Sequence, residues 1–256
     1  YRTGFTPLPS RSTIARILSK LEPPTSGRIE VTGSDGAEVA AREYRKHVQM
    51  VFQDPFASLN PFHSIAHHIA RPLKVHGRTR GSEATYAKVV EMLGRVGLDE
   101  SFAARRPHEL SGGQRQRVAI ARALAPGAQV VLADEPVSML DVSIRLDVLN
   151  LMGRLQREDE LAVLYITHDL ATARHFSDEI LVLYKGRVVE RGPSDAVILD
   201  PRHDYTRLLA PSAPAPERVG KVVSGEAVTD RSTLDNSRCF NHFTGAWEEA
   251  EARAAA

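Results

Sequence analysis

Residues 110–117 read Leu110-Ser111-Gly112-Gly113-Gln114-Arg115-Gln116-Arg117, and they open a predicted helix that continues through the apolar-rich run 118–124. Ser111 is a favourable N-cap, and the two glycines leave the first backbone N–H groups without side-chain cover. A helix start of this kind carries a partial positive charge and outward-pointing donors, which favours the binding of a phosphate. Taken alone, the pattern fits an ordinary capped amphipathic helix equally well.

Two later segments place polar residues directly after apolar runs that predict strands. The run 130–133 ends in Asp134-Glu135, and the run 162–166 ends before Thr167-His168. Apolar strands that alternate with predicted helices indicate a mostly parallel sheet that is covered on both faces. Functional groups of such folds lie at the carboxyl ends of the strands. The sequence therefore predicts a polar site at that edge of the sheet.

In this order the segments resemble those of the ATP-binding-cassette (ABC) ATPase family. Residues 110–114 resemble its signature motif, 130–135 its Walker B segment, 138–141 its D-loop and His168 its switch histidine. The resemblance implies the α/β fold of P-loop NTPases, with a mostly parallel sheet core and an inserted α-helical subdomain. Residues 53–61, Gln-Asp-Pro-Phe-Ala-Ser-Leu-Asn-Pro, resemble the oligopeptide/dipeptide importer branch in particular.

The resemblance also implies ATP and Mg²⁺ as cofactors and assigns roles to single residues. Asp134 is expected to hold Mg²⁺ through a water, Glu135 to polarise the attacking water, Gln53 to touch both, and His168 to contact the γ-phosphate. By itself, Gln53 is more simply a polar strand end, and an isolated Asp-Glu pair a surface turn. The nucleotide-binding positions implied are Ser10, Arg11, Ser12, Thr13, Ser111, Gly112, Gly113, Gln114 and Asp141. The metal positions implied are Ser12, Gln53 and Asp134.

The first ten residues depart from the family's P-loop pattern, G-x-x-x-x-G-K-[ST]. Ser10-Arg11-Ser12-Thr13 stands where that pattern ends, with Arg11 in the lysine position. Pro7 and Pro9 have no N–H to donate to a phosphate. Losing two charge-assisted bonds corresponds to nucleotide binding weakened roughly 10²–10⁴-fold. We expect a truncated or altered N-terminus, from which the strand before the P-loop and the aromatic residue that stacks on adenine are missing.

The remaining stretches set the expected domain limits. Apolar stripes predict helices over 65–73 and 82–96, and the helical subdomain is expected at about 54–114. His63 and His67 have the spacing of a metal pair, but without a third ligand solvated positions are favoured. Pro-rich residues 211–216 indicate a linker. The ATPase domain is expected over 1–210 and a linker and tail over 211–256.

Composition limits the classes of function. A net charge of +1 argues against a protein that binds nucleic acid through bulk electrostatics. The single cysteine, Cys239, excludes an intrachain disulfide framework and a Cys-rich metal site. No apolar run approaches the ~18 residues that span a bilayer, so a role in transport requires docking on a membrane-embedded chain.

Together these features predict the nucleotide-binding subunit of an ABC importer of peptides, at the cytoplasmic face of the cell membrane. Its expected partners are transmembrane permease subunits, a second ABC ATPase subunit in a homodimer or heterodimer, and indirectly a substrate-binding protein. Two alternatives remain at this point. One is a catalytically impaired subunit that lends its signature motif to an intact neighbour. The other, less favoured, is a soluble ABC protein outside transport, since such proteins usually carry two cassettes or a long coiled coil.

Overall fold

The structure is a computed structural model that describes residues 11–32, 38–209 and 238–249. A sheet of parallel strands organises one part of it. Within these ranges, one sheet consists of β1 (Val48–Val51), β2 (Val130–Asp134) and β3 (Ala162–Ile166), with β2 in the centre. The register pairs Val51 with Ala133 and Asp134 with Ile166. All three strands run parallel, so their carboxyl ends meet at one edge. The predicted parallel sheet is confirmed.

The helices follow the apolar periodicity of the sequence. The predicted helices over 65–73 and 82–96 are observed within one or two residues of those limits. In chain order the described helices are α1 (Arg11–Leu18), α2 (Tyr44–His47), α3 (Pro55–Ser58), α4 (Ile65–Val75), α5 (Ser82–Arg95), α6 (Gly112–Leu124), α7 (Val142–Asp159), α8 (Leu170–Phe176), α9 (Ser194–Leu199) and α10 (Asp204–Leu209). Two 3₁₀ helices, Glu100–Ala104 and Pro107–Glu109, lie between α5 and α6. None of the described helices is long and apolar enough to cross a membrane.

The described residues form two compact units. The first comprises 15–22, 29–32 and 38–166, and the second comprises 11–14, 23–28, 167–209 and 238–249. Each unit has an apolar core of its own. In the first, Ala15 and Tyr44 pack with Val48, Met50 and Leu132 beneath the sheet.

A second apolar cluster fills the helical part of the first unit. Ile65, Ile69 and Leu73 of α4 are completely buried, as are Leu93 of α5 and Val118 of α6. Their spacing of four residues along α4 places them on one face of that helix. Burial of this face holds α4, α5 and α6 together.

The second unit is built on another sheet. Strands β4 (Glu179–Tyr184) and β5 (Arg187–Pro193) form an antiparallel hairpin, as the sequence predicts. The turn between them uses Lys185 at φ +46° and Gly186 at φ +75°, which suits a tight hairpin turn. Ile180, Val182 and Val189 of these strands pack against α9 in the core of this unit.

Two further strands were missed by sequence reasoning. Strands β6 (Arg238–Asn241) and β7 (Ala246–Glu249) lie within the stretch assigned to the tail, and β6 pairs in parallel with β5. The completely buried carboxylate of Glu190 accepts a bond of 2.7 Å from Nε2 of His242 and bonds from the N–H groups of residues 202 and 203. Local periodicity carries no signal for such a long-range contact.

The turn-forming residues 23–27 and the apolar residues after them predict a short strand over 28–31, and this prediction is wrong. Residues 28–31 form no strand, and the described chain shows only an isolated bridge between Thr32 and Glu38 beside the bond from the Val39 N–H to the Val31 carbonyl, 2.8 Å long. Ile29 and Val31 still pack against the core of the first unit. Their apolar character reports burial, whereas a strand also needs a neighbouring strand to pair with.

The two glycines of the 110–117 segment lie against the start of α7. A Cβ atom on Gly113 would stand 2.5 Å from Cγ2 of Ile144, and one on Gly112 would stand 3.3 Å from Cδ2 of Leu140. Real Cβ atoms do not approach a neighbour as closely as the first of these distances. Gly113, which is buried, is therefore needed for the packing of α6 on α7.

Gly113→Ala is expected to lower the free energy of unfolding by roughly 1–3 kcal/mol, because the added methyl group must displace Ile144. Gly94→Ala is the control, since Gly94 lies inside α5 and nothing stands within 4 Å of the added Cβ. This control should raise the free energy of unfolding by about 0.5–1 kcal/mol. Urea unfolding followed by circular dichroism measures both, and equal effects would contradict the close α6–α7 contact.

Candidate functional site

The ends of β1 and β2 carry the centre of the candidate site. Gln53 lies two residues beyond the end of β1, and its Nε2 donates to Oε2 of Glu135 at 3.1 Å and to Oγ of Ser138 at 3.2 Å. Both acceptors follow β2 in the chain. Because Val51 of β1 pairs with Ala133 of β2, the residues two positions after this pair come within hydrogen-bonding reach of each other. The structure thus joins two residues that the sequence places 82 positions apart.

The backbone at Glu135 sets this geometry. Asp134 is the last residue of β2 and is 6% exposed, while Glu135 takes a left-handed conformation with φ +45°. Its N–H donates to the carbonyl of Ile166 at 2.9 Å, so the turn is anchored on β3. A left-handed conformation is uncommon for residues other than glycine, and such strain is concentrated at functional sites. The reversal keeps Asp134 in the sheet edge and directs Glu135 toward Gln53.

The donor set at this edge fits Mg²⁺. Both hydrogen bonds of Gln53 use its amide nitrogen, and its amide oxygen is therefore the atom left to coordinate an ion. Carboxylate and amide oxygens are the ligands that Mg²⁺ takes from proteins, usually with several waters and substrate phosphates. The described ranges contain no cluster of three or more His, Cys, Asp or Glu residues that could hold a metal. An ion with few protein ligands is consistent with that composition.

Helix α6 begins with a reciprocal capping box. Oγ of Ser111 accepts from the N–H of Gln114 at 3.3 Å, and Oε1 of Gln114 accepts from the N–H of Ser111 at 2.9 Å. The predicted N-cap is confirmed. The role of the Gln114 side chain as its counterpart was missed, although Ser-x-x-Gln is the sequence signature of a capping box. The box does not use the N–H groups of Gly112 and Gly113, which remain as donors at the helix start.

The turn that leads into α7 is braced by an arginine. Arg145 donates through Nε to the carbonyl of Leu140 at 2.8 Å and through Nη2 to that of Ser138 at 3.2 Å. Asp141 is the N-cap residue of α7, and its exposed side chain makes no capping bond. Arg145 was missed by sequence reasoning, because no local pattern distinguishes it from other helix arginines.

The remaining predicted site residues belong to the second compact unit. Residues 11–13 open α1, and the exposed His168 follows two residues after the end of β3. Ser10, like the rest of the altered P-loop segment, lies outside the described residues. The predicted roles of Arg11, Ser12, Thr13 and His168 remain predictions.

The histidine pair near α4 lacks the geometry of a metal site. The rings of His63 and His67 are stacked, with centroids 4.1 Å apart and planes 15° apart. Ring nitrogens coordinate in the plane of the ring, so stacked rings do not converge on one ion. Desolvation, and then the neighbouring positive charges of His63, Arg71 and Lys74, lower the pKa of His67. The neighbouring His68 is buried, with Nε2 at 3.0 Å from the carbonyl of Asn60.

Comparison with known proteins identifies the family to which the chain belongs. The model of the family described as ABC transporter matches residues 11–138. The chain belongs to the ABC transporter family. The oligopeptide transport ATP-binding protein AppF of Bacillus subtilis (strain 168) is 45% identical over 216 residues, which cover 83% of this chain and 65% of AppF. OppF of the same organism, also an oligopeptide transport ATP-binding protein, is 42% identical over 211 residues, covering 81% of this chain and 69% of OppF.

Solved structures of ABC proteins share the fold. The dimeric ATP-binding cassette MJ0796, in a post-hydrolysis state bound to ADP and Pi, matches with a TM-score of 0.60 and 33% identity, over 72% of this chain and 80% of that one. CbiO1 of Clostridium perfringens, part of the cbiONQ transporter complex, matches with a TM-score of 0.62 and 26% identity, over 74% of each chain. The predicted P-loop ABC ATPase fold is confirmed. The chain spans just under two thirds of the length of AppF.

Gln53→Glu should destabilise the protein in a pH-dependent way. Two carboxylates would then face each other, and their repulsion raises the pKa of the pair above the ordinary glutamate value of about 4.3. A folded-state pKa above the unfolded value means that stability is lost as pH rises through that range. The deficit in Tm relative to the parent protein should therefore be larger at about pH 7.5 than at about pH 5.

Gln53→Met is the control for this pH dependence, because it removes the hydrogen bond to Glu135 without adding a charge. Its deficit in Tm should be the same at both pH values. Thermal unfolding followed by circular dichroism measures the two variants side by side. A pH-independent deficit in Gln53→Glu would contradict the contact between residues 53 and 135.

Proposed function

We propose that this chain is the nucleotide-binding part of an ABC importer of peptides, and that it hydrolyses ATP with Mg²⁺. The hydrogen bond between Gln53 and Glu135, beside the buried Asp134, is the observation that carries the proposal. It brings the amide of Gln53 and the carboxylate of Glu135 together at the carboxyl ends of parallel strands, where α/β proteins bind ligands. The printed functions of AppF and OppF, which are oligopeptide transport ATP-binding proteins, support the peptide assignment.

Phosphoryl transfer needs positioning and charge stabilisation more than covalent chemistry. Mg²⁺, when bound, neutralises charge on the transferring phosphoryl group. Gln53 and Asp134 would hold the ion, with Ser12 as a further ligand. Glu135 would accept the proton of the attacking water, and the bond from Gln53 fixes the direction of its carboxylate. His168 would contact the γ-phosphate.

The start of α6 would serve the nucleotide of a second ATPase subunit arranged head to tail. The N–H groups of Gly112 and Gly113 and the partial charge of a 13-residue helix suit a phosphate group. Asp141, exposed at the start of α7, would face the same neighbour. Residues 10–13, of which 11–13 open α1, would bind the phosphates of this chain's own nucleotide.

The proposed membrane partner docks on the segment 53–110. Phe56 is 57% exposed and Phe62 is 80% exposed, and both follow Gln53 within ten positions of the chain. Exposed aromatic side chains of this kind are enriched at protein interfaces. We assign the partner as a transmembrane permease subunit at the cytoplasmic face of the cell membrane, with a substrate-binding protein acting on that permease. Nucleic acid is not among the proposed partners.

Glu135→Gln tests the catalytic assignment in the full-length protein assembled with its transport partners. Loss of the general base should lower ATP hydrolysis by roughly 10²–10⁴-fold while ATP remains bound. Glu158→Gln is the control, because Glu158 lies at the far end of α7 in an exposed pair with Arg154. The Glu158→Gln protein should hydrolyse ATP at the parent rate. Phosphate release and retention of labelled ATP on the same samples give the two values.

A second candidate function is a subunit whose own nucleotide site is impaired and which lends α6 to an intact neighbour. The capping box at Ser111 is complete, whereas Arg11 replaces the P-loop lysine. Unchanged hydrolysis in Glu135→Gln, together with loss of hydrolysis in Ser111→Arg, would favour this second function. Loss of hydrolysis in Glu135→Gln favours the first.

A further inference from the structure

The short helix α3, which follows Gln53, is fastened to α6 at both of its ends. The guanidinium carbon of Arg115 stands 3.9 Å from the centroid of the Phe56 ring, at the beginning of α3. Nη1 of Arg122 donates to the carbonyl of Ser58, the last residue of α3. Arg115 and Arg122 lie about two turns apart on one face of α6. A displacement of α3 is therefore transmitted to α6.

Arg115 also holds the chain that enters α6. Its Nε donates to the carbonyl of Pro107 at 2.5 Å, and its Nη2 lies 3.5 Å from the carbonyl of His108. These residues form the 3₁₀ helix just before the 110–117 segment. One side chain of α6 thus contacts both α3 and the 3₁₀ helix that precedes α6.

The surroundings of Arg115 are unusual for a residue that only stabilises the fold. Arg115 is 8% exposed, and its side chain contacts two backbone carbonyls and an aromatic ring. Nη1 is buried and has no hydrogen-bond partner among the residues that the structure describes. Burying a charge without a carboxylate, and leaving a donor unsatisfied, both cost free energy. An apolar side chain would fill the same space at lower cost.

We propose that Arg115 is a positioning residue for ATP hydrolysis, which fixes the direction in which the first turn of α6 presents its N–H groups. Arg115 contacts α3 through Phe56, and Arg122 makes the second contact between α6 and α3. This inference rests on the proposed function, because it assigns to α6 a phosphate of the neighbouring subunit. Since Phe56 is more than half exposed, a partner docked on it would press directly on the guanidinium group of Arg115.

Lysine cannot replace arginine in this position. A planar guanidinium group stacks on a ring while it donates in a fixed fork, whereas an ammonium group is a single point charge. Arg115→Lys in the full-length assembled protein should lower kcat for ATP by about tenfold, with KM for ATP within about twofold of the parent value. The effect falls on kcat because the angle of α6 matters in the closed, reacting state.

Phe56→Leu should give the same loss, and the double variant should be no worse than the more impaired single variant. The control pair is Arg238 and Trp247, which form a cation–π contact of the same kind at 5.5 Å within the second unit. Arg238→Lys should leave kcat and KM unchanged. If Arg115→Lys keeps kcat within about twofold of the parent, or if the losses of Arg115→Lys and Phe56→Leu multiply, the positioning role is refuted.

Hydrogen exchange separates a failure of this inference from a failure of the proposed function. In the full chain without nucleotide, Arg115→Lys should speed amide exchange at residues 112–116 and 55–58, and Arg238→Lys should not. If the parent protein hydrolyses no ATP, the proposed function fails, and the exchange data alone decide the positioning role. Equal exchange of these segments in the parent and in Arg115→Lys would overturn it.

Discussion

The parallel register of β1 on β2 is the constraint on which the candidate site depends. It pairs Val51 with Ala133, so the segments that follow β1 and β2 leave the sheet side by side. Gln53 and Glu135 then meet, although neither contributes to the sheet itself. A shift of one residue in this register would reverse the faces of every side chain in β1 and separate the pair. The apolar core beneath the sheet, with Val48, Met50 and Leu132, is what holds the register.

Close packing extends this arrangement to α6 and α7. Gly113 allows Ile144 to approach α6, and Arg145 holds the turn before α7 through two carbonyls. On the other side of α6, Arg115 and Arg122 hold α3. Glycine and arginine thus have structural roles next to the residues that are expected to touch nucleotide. This arrangement explains why the neighbourhood of the helix start that we propose to bind phosphate is built from such different residue types.

Most of the helices and strands around the candidate site could be predicted from local sequence patterns. The strands around Asp134, the helices around Ile65 and Val89, and the N-cap at Ser111 follow from apolar periodicity and capping preference, which act over a few residues. The assignment of Gln53 and Glu135 to one site required the resemblance to a family, since strand order cannot be deduced from periodicity, and their direct hydrogen bond was not predicted. The charged and polar contacts that organise the neighbourhood of the site, at Arg115, Arg122 and Arg145, have no periodic signature.

The second unit shows the same limit. Strands β6 and β7 depend on a buried carboxylate, Glu190, and on the close approach of His242 to Gly192, where an added Cβ would stand 2.4 Å away. Both contacts join residues about fifty positions apart in the sequence. The stretch 28–31 shows the opposite case, because its apolar residues predict a strand but have no neighbouring strand with which to pair. Tertiary pairing decides such segments, and propensity alone does not.

The proposed ion and nucleotide site at Gln53 and Asp134 is tested most directly by a structure of the full-length protein, assembled with a second ATPase subunit. The sample would contain Mn²⁺ and a non-hydrolysable ATP analogue. Anomalous scattering from Mn²⁺ locates the ion independently of the protein. The proposed site requires an ion coordinated by the amide oxygen of Gln53, with Asp134 beside it and the first turn of α6 from the neighbouring subunit on the terminal phosphate. An ion and nucleotide bound away from Gln53 and Asp134 would contradict it.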